Sequence, residues 1–165
     1  RIMYYMAILC ARKSVLIANP YFIPDNAAID ILVDAARRGV NVKVMVSGRH
    51  NDIKLARLNA RRLYGRLLEA GVEIYEYDRT MMHHKYMVCD GVWATVGTTN
   101  FDNRSFGLND EHNLCVYDAD VAREFERIFE RDLADCDRVE LEAWRSRGAA
   151  AKTIERLASL LKEQI

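Results

Sequence analysis

The sequence lacks the features that mark membrane-spanning, zinc-binding and strongly charged proteins. Its 165 residues contain no apolar run of about 18 residues, the length that a membrane-spanning helix needs. The four cysteines form neither a CxxC pair nor a zinc-type spacing, so we expect free, buried thiols. The net charge of zero gives no support for whole-molecule attraction to nucleic acid or to a membrane. An anionic ligand must therefore be held by a local group of residues.

The residues that are present favour one folded α/β unit. Half of them are hydrophobic, which suits a single domain with a real core and argues against disorder. The only two prolines, Pro20 and Pro24, bracket a loop after a short apolar run. The elements predicted for the first half are a helix at 3–12, a strand at 15–18, a helix from about 26 to Gly39, a strand at 40–46, a helix at 53–70 and a strand at 72–77.

The second half changes to an antiparallel pattern. The dipeptide Asp90-Gly91, typical of a two-residue hairpin turn, separates β-runs at 85–89 and 92–96. The elements predicted after this hairpin are a strand at 113–117 and helices at 121–133 and 152–162.

Together these patterns predict the fold class. We expect an α/β fold, a three-layer α/β/α sandwich with a mixed β-sheet that is parallel early and antiparallel around the hairpin. The single domain would cover residues 1–165, with a helical extension at 148–165. Because Arg1 precedes an apparent core strand by only a dozen residues, we expect the chain to be a fragment of a longer protein.

The most informative stretch runs from His83 to Glu111. Side chains alternate along a strand, so His83 and Lys85 share one face, while His84 and Asp90 point to the other. An imidazole and an ammonium group can therefore act together on one ligand.

The hairpin adds polar groups from the neighbouring strand to this face. A two-residue turn pairs Lys85 with Val96. The same pairing places Thr98 and Asn100 on the side of His83, provided that no bulge interrupts it. The face then gathers an imidazole, an ammonium, a hydroxyl and a carboxamide, all of which can donate hydrogen bonds to a phosphodiester.

Histidine can attack phosphorus as a nucleophile or transfer a proton. Glu111 opens the next strand, and a carboxylate there could hold the second ring nitrogen of His83. The pattern therefore indicates phosphodiester chemistry.

The order of these residues resembles the HKD motif of the phospholipase D superfamily. The matching positions are His83, Lys85, Asp90, Gly97, Thr98 and Asn100. The continuation to Glu111 and the Asn19-Pro-Tyr-Phe run resemble the cardiolipin synthase branch of that superfamily. The resemblance covers residues 4–145.

The resemblance implies a role for each candidate catalytic residue. His83 would form a phosphohistidine or protonate the leaving oxygen. Lys85 and Asn100 would grip the phosphate, and Glu111 would orient the histidine. Asp90 would match the acid of the motif, which has a supporting role in the family.

Three further residues are candidates for binding substrate. Thr98 keeps the hydroxyl of the serine that is usual in the family. Tyr21 and Phe22 follow a strand, at the place where α/β sheets usually bind ligands. They either line a lipid groove or pack in the core.

Structural roles are expected for several other polar residues. His84 is expected to support or pack, because strand neighbours face opposite ways and cannot easily share one metal with His83. The basic side chains of Lys54, Arg57 and Arg61 follow helical spacing and form either a solvated face or a contact with anionic headgroups.

The resemblance also implies that this sequence lacks half of the active site. Family members build one active site from two HKD motifs, and this sequence contains one. His50 has no lysine at the matching spacing. The linear order resembles the second half of a cardiolipin synthase, so the second motif is expected in an upstream domain, which makes this chain the C-terminal half of a two-motif protein, or else in a homodimer mate. An isolated monomer is expected to be nearly inactive.

The function implied by the resemblance is phosphatidyl transfer or phosphodiester cleavage through a phosphohistidine, with no metal or cofactor. The expected partners are a phosphatidylglycerol-like phospholipid and, for the full-length protein, a membrane surface on the cytoplasmic side of the bacterial inner membrane. Nucleic acid is not expected. Two alternatives stay open: a dimeric HKD phosphodiesterase or nuclease, and a non-catalytic lipid-binding module.

Overall fold

A computed structural model describes residues 1–52, 54–148 and 153. Its helices are α1 (Ile2–Cys10), α2 (Asn26–Arg37), α3 (Lys54–Glu69), α4 (Asn103–Gly107), α5 (Ala119–Asp132) and α6 (Leu141–Ser146). Its strands are β1 (Ser14–Ala18), β2 (Phe22–Ile23), β3 (Asn41–Ser47), β4 (Glu73–Tyr77), β5 (Tyr86–Cys89), β6 (Trp93–Gly97), β7 (Phe101–Asp102), β8 (Asn113–Tyr117) and β9 (Cys136–Arg138).

Seven of these strands form one mixed sheet in the order β8-β6-β5-β1-β3-β4-β9. The neighbours β1, β3 and β4 are parallel, as the βα units of the first half predict. Strands β5, β6 and β8 extend the sheet in antiparallel pairs on one side, and β9 pairs antiparallel with β4 on the other. Strands β2 and β7 pair separately as a short parallel ribbon.

Helices cover both faces of this sheet. On one face, α1, α2 and α3 bury apolar side chains such as Ile8, Leu32 and Leu67 against the strands. On the other face, α5 contributes Ala122 and Phe129 to a second apolar cluster. The three-layer arrangement predicted from the sequence is therefore confirmed.

The long periodic elements were predicted from the sequence, and the short ones were not. Strands β2, β7 and β9 and helices α4 and α6 each have between two and six residues, too few to establish a period. The helix predicted at 152–162 lies outside the described residues.

The hairpin turn between β5 and β6 corrects the predicted register. Cys89 pairs with Trp93, so the turn contains three residues, and the amide of Val92 donates to the carbonyl of Cys89 at 3.2 Å. Asp90 and Gly91 have φ angles of 56° and 64°. Because of this one-residue difference, Val96 pairs with Tyr86, and the predicted pairing of Val96 with Lys85 is wrong.

The basic stripe of α3 also differs from prediction. Arg57 Nη2 lies 2.6 Å from Glu76 Oε2, and Arg61 Nη1 lies 3.0 Å from Glu76 Oε1. The Glu76 side chain is 7% exposed, so these arginines bind a buried carboxylate of β4. They form neither a simply solvated face nor a free surface for headgroups.

The free cysteines are not all buried. Cys89 is buried, whereas Cys10 and Cys115 are exposed, since they lie on an outer face of α1 and on the edge strand β8. Within the described ranges, no helix combines the length and the apolar character needed to cross a bilayer.

Candidate active site

The candidate residues gather at one edge of the main sheet. The loop after β1, the segment before β5, the loop after β6 and the segment before β8 all lie at this edge, because β5 and β8 run antiparallel to β1 and β6. These segments carry Tyr21, the His83–Lys85 run, the Thr98–Asn100 run and Glu111. The topology therefore brings together residues up to 90 positions apart in the sequence.

Asn19 ties two of these loops together. It is 2% exposed, and its Nδ2 donates to the carbonyl of Thr99 at 3.2 Å. Its Oδ1 accepts from the amides of Tyr21 at 3.3 Å and Phe101 at 3.2 Å. In the sequence, Asn19 was noted only as part of the family resemblance. Its position directly after a buried strand was the local feature that could have indicated a positioning role.

Lys85 is the buried cation of the site. It is 6% exposed, and its Nζ donates to the carbonyl oxygen of His83 at 2.8 Å. Burial lowers the pKa of Lys85, and the nearby carboxylates of Glu111, Asp52 and Asp102 oppose that change. The ammonium group is thus held against the backbone of His83, close to three acids. Two of them, Asp52 and Asp102, were not placed in the site by sequence reasoning.

Glu111 is held by polar neighbours on its own side of the site. The Thr98 hydroxyl donates to Oε2, and the Asn109 amide donates to Oε1 at 3.3 Å. Burial raises the pKa of Glu111, but hydrogen bonds from Thr98, Ser105 and Asn109 and the charge of Lys85 outweigh it, so the pKa is lowered. Glu111 is therefore ionised at neutral pH.

Thr98 is exposed, and its hydroxyl both donates and accepts a hydrogen bond within the protein. Besides donating to Glu111, it accepts from the amide of His112 at 3.0 Å. The prediction of Thr98 as a substrate-binding residue is not tested by this contact, which shows only that Thr98 positions Glu111.

His83 presents its ring to solvent at the mouth of the site. The ring of Tyr21 meets it edge to face, with centroids 6.1 Å apart. The Tyr21 hydroxyl donates to Asp52, which fixes the tyrosine beside the histidine. In the part of the chain that the structure describes, no hydrogen bond joins the His83 ring to Glu111, so the orienting role of Glu111 stays a prediction.

Asn100 has a half-buried side chain with an unused hydrogen-bonding atom. Its Oδ1 is buried and finds no partner among the described residues. Buried polar atoms are normally paired, so this acceptor is an exception; it can accept a hydrogen bond but cannot donate one to a phosphate oxygen.

His84 points away from this group, as strand alternation predicts. Its ring stacks on that of Tyr86, with centroids 5.3 Å apart, and burial lowers its pKa. Tyr86 belongs to the cluster under α5, so His84 packs on the opposite face of the sheet from Lys85.

Two candidate residues do not join the site. Asp90 lies at the far end of β5 from Lys85, and its carboxylate accepts hydrogen bonds from the amides of residues 12, 13 and 14. Its role is to hold the connection between α1 and β1. Phe22 is 1% exposed and packs on Phe101 at a centroid distance of 5.1 Å, so it belongs to the core and does not line a substrate groove.

Comparison with known proteins places this geometry in a family. A family model described as the phospholipase D-like domain of cardiolipin synthase matches residues 4–133. The chain belongs to this family. Its curated relatives include a probable cardiolipin synthase (YwiE) of Bacillus subtilis, 40% identical over 158 residues, which make up 96% of the chain and 31% of that protein. A cardiolipin synthase of Geobacillus is 36% identical over 159 residues, 96% of the chain and 32% of that protein.

The chain thus spans about a third of the length of these relatives. Solved structures share its fold at lower identity. The phospholipase D family member Nuc of Salmonella typhimurium has a TM-score of 0.73 and 20% identity, covering 85% of this chain and 90% of that one. Phosphatidylserine synthase of Haemophilus influenzae has a TM-score of 0.71 and 16% identity, covering 97% and 41%. The family's fold is the three-layer sandwich described above.

Proposed function

We propose that this chain carries one half of the active site of a phosphatidyl-transferring enzyme of the cardiolipin synthase type. The observation that carries the proposal is the buried ammonium group of Lys85, which donates to the backbone carbonyl of the exposed His83 at 2.8 Å. A phosphodiester at the mouth of the site would meet a fixed positive charge and a histidine at the same time.

The proposed reaction consists of two displacements at phosphorus. In the first, a histidine nitrogen forms a bond to phosphorus while the bond to the leaving alcohol oxygen breaks, and a second histidine donates a proton to that oxygen. In the second, the acceptor hydroxyl gives its proton back to the second histidine and bonds to phosphorus as the nitrogen–phosphorus bond breaks. By the family resemblance, His83 takes the acid and base role.

Lys85 and Asn100 are proposed to hold the non-bridging phosphate oxygens. The Nδ2 amide of Asn100 and the ammonium of Lys85 would donate hydrogen bonds to these oxygens, and the ammonium would supply positive charge, so the proposed chemistry calls for no metal. Glu111, ionised at neutral pH, is proposed to hold the His83 ring once substrate is bound.

A second histidine and lysine must come from outside this motif. We propose that they belong to an upstream domain of a longer protein; a symmetric mate of the same chain is the other arrangement that supplies them. The proposed substrate is a phosphatidylglycerol-like lipid, reached from the cytoplasmic surface of a bacterial membrane.

The test uses the full-length parent protein on phosphatidylglycerol vesicles. His83→Ala should lower cardiolipin formation by about a thousandfold, the scale of a lost acid or base. His112→Ala, which removes an exposed histidine of the same segment, is the matched control and should leave turnover unchanged. Turnover retained in His83→Ala would overturn the assignment, and inhibition by EDTA would contradict the metal-free chemistry.

A further inference from the structure

Asp52 reaches the candidate site from the side opposite to Glu111. In the strand order β8-β6-β5-β1-β3, Glu111 precedes β8 and Asp52 lies in the loop after β3, while the segment of His83 lies between them, before β5. The carboxylate of Asp52 accepts a hydrogen bond from the Tyr21 hydroxyl. It also lies close enough to Lys85 to oppose the lowering of the lysine pKa. Asp52 therefore belongs to the site, although it lies outside the HKD pattern.

The loop that carries Asp52 is anchored at its start. The amide of Gly48 donates to the carbonyl of Tyr77 at 3.0 Å. The amide of Arg49 donates to one carboxylate oxygen of Asp78, and its Nε lies 3.0 Å from the other. Burial raises the pKa of Asp78, but the hydrogen bonds and charge of Arg49 outweigh it and lower the pKa, so this anchor is ionised at neutral pH. The loop thus leaves a fixed point three residues before Asp52.

Tyr21 is held through its backbone and through its side chain. Its amide donates to Oδ1 of the buried Asn19 at 3.3 Å, and its hydroxyl donates to Oδ1 of Asp52. Burial, together with the hydrogen bond and charge of Asp52, raises the pKa of Tyr21, so the hydroxyl stays protonated and keeps its role as donor. Rotation of the tyrosine side chain would break the hydrogen bond to Asp52. The ring of Tyr21 is therefore a fixed surface.

The ring of His83 lies against this surface. The two rings meet at 79° with centroids 6.1 Å apart, the edge-to-face arrangement that aromatic pairs prefer. The backbone of His83 is held by the ammonium group of Lys85, whereas its exposed side chain depends on contacts such as that with Tyr21 for its orientation. A nitrogen that bonds to phosphorus or transfers a proton must point along one direction, and loss of that alignment slows a reaction.

From these contacts we infer that Asp52 is a positioning residue, which acts through Tyr21 to hold the ring of His83 in the orientation used for phosphoryl transfer. The inference rests on the proposed function, because the orientation affects turnover only if His83 takes part in the reaction. Asp52 forms no bond to phosphorus, and neither Asp52 nor Tyr21 gains or loses a proton. The carboxylate orients the histidine through an intervening ring, in the way that a third group orients the base of a catalytic pair.

The first experiment measures the His83 ring directly, without substrate. The full-length parent is prepared for NMR with isotope-labelled Cε1 atoms in its histidines, and the His83 signal is identified by its loss in His83→Gln. Because an aromatic ring shifts the signals of nuclei beside it, Asp52→Ala should move the His83 signal and leave that of His112 in place. Asp52→Asn, whose amide oxygen still accepts from the Tyr21 hydroxyl, should keep the parent signal. Spectra are taken well above the ordinary imidazole pKa of about 6.5, so that the change of charge at residue 52 does not contribute.

The second experiment measures cardiolipin formation by the parent on phosphatidylglycerol vesicles. Asp52→Ala and Tyr21→Phe should each lower kcat by about tenfold, the scale of one lost hydrogen bond to a charged partner, with KM within about twofold of the parent. The double variant should fall no further than either single one, because both changes break the same contact. Asp52→Asn, which keeps the contact, should stay within about threefold of the parent. His50→Ala, an exposed change in the same loop, is the matched control and should change neither constant.

The outcomes separate this inference from the proposed function. A moved His83 signal together with a non-additive fall in kcat supports the positioning role. An unmoved signal, an unchanged kcat, a rise in KM alone or additive losses in the double variant overturn it. An Asp52→Asn protein as slow as Asp52→Ala also overturns it, because the effect would then come from charge alone. If His83→Ala keeps full turnover, the proposed function fails, while the NMR signal still shows whether Asp52 orients the ring.

Discussion

Two adjacent histidines lie in different environments. His83 is exposed and its carbonyl oxygen accepts from the ammonium group of Lys85, whereas His84 is stacked on Tyr86. The period of two along an extended segment assigns their side chains to opposite sides, and burial lowers the pKa of His84. The same rule excludes Asp90 from the side of His83.

Asp90 provides a test at the residue scale. Burial raises its pKa, but hydrogen bonds from the amides of Ser14, Lys13 and Arg12 outweigh that effect and lower it. Asp90→Asn keeps a residue that tolerates the positive φ but removes the charge, so the free energy of unfolding at pH 7 should fall by about 1–2 kcal/mol. Urea unfolding of the chain measures this difference.

The pH dependence of that difference follows from the lowered pKa. The stability contributed by ionised Asp90 is fully present above its ordinary pKa of 3.8 and is lost as the pH falls through the lowered value in the folded chain. The two proteins should therefore converge in stability at acid pH. A difference that persists there, or a loss of turnover in the parent beyond the loss of folded protein, would contradict a purely structural role.

At the scale of elements, the contact between α3 and α6 depends on one glycine. A Cβ added at Gly65 would overlap the ring of Trp144, whose Nε1 donates to the carbonyl of Arg61 at 2.8 Å. The absence of a side chain at Gly65 therefore lets α6 lie directly on α3. A helix-interior glycine normally costs stability, so this packing is the reason that the residue is tolerated.

Gly65→Ala tests the contact between these helices. Alanine would gain about 1 kcal/mol of helix propensity, but overpacking against Trp144 costs about 1–3 kcal/mol, so the net effect should be a loss of about 1 kcal/mol. Urea unfolding and the tryptophan emission spectrum measure it. Gly107→Ala, where a Cβ meets nothing within 4 Å, is the matched control and should be neutral. A more stable Gly65→Ala protein would contradict the packing of α6 on α3.

At the scale of the whole molecule, the sheet edge assembles one histidine and one lysine where the proposed reaction uses two of each. The chain folds around two apolar clusters of its own, so we expect the isolated chain to be folded. The proposed site within this chain nevertheless lacks the second histidine and the second lysine.

This incompleteness predicts a difference between the chain and its parent. The isolated 165-residue chain should show the cooperative unfolding of a folded domain, but its turnover should fall about a thousandfold or more below that of the full-length protein, because one histidine is missing. Light scattering should report a monomer. A stable two-fold dimer with turnover equal to that of the parent would instead indicate a site shared between two copies.

Local patterns in the sequence were enough to predict the long helices and strands and the mixed sheet. These features depend on side-chain period, helix capping and turn residues within about ten positions, all of which can be inferred without knowing where the rest of the chain lies. The family resemblance added the proposed roles of Asn100 and Glu111, which stay predictions.

Only the tertiary structure decided the features that join distant segments. These include the three-residue turn that shifted Val96 to the other face, the burial of Phe22 against Phe101, and the binding of Asp90 to amides more than 70 positions away. The acids around Lys85 also come from distant segments of the chain. Each depends on how strands from separate parts of the chain pair. That pairing is set when the whole sheet forms, and a local side-chain period carries no information about it.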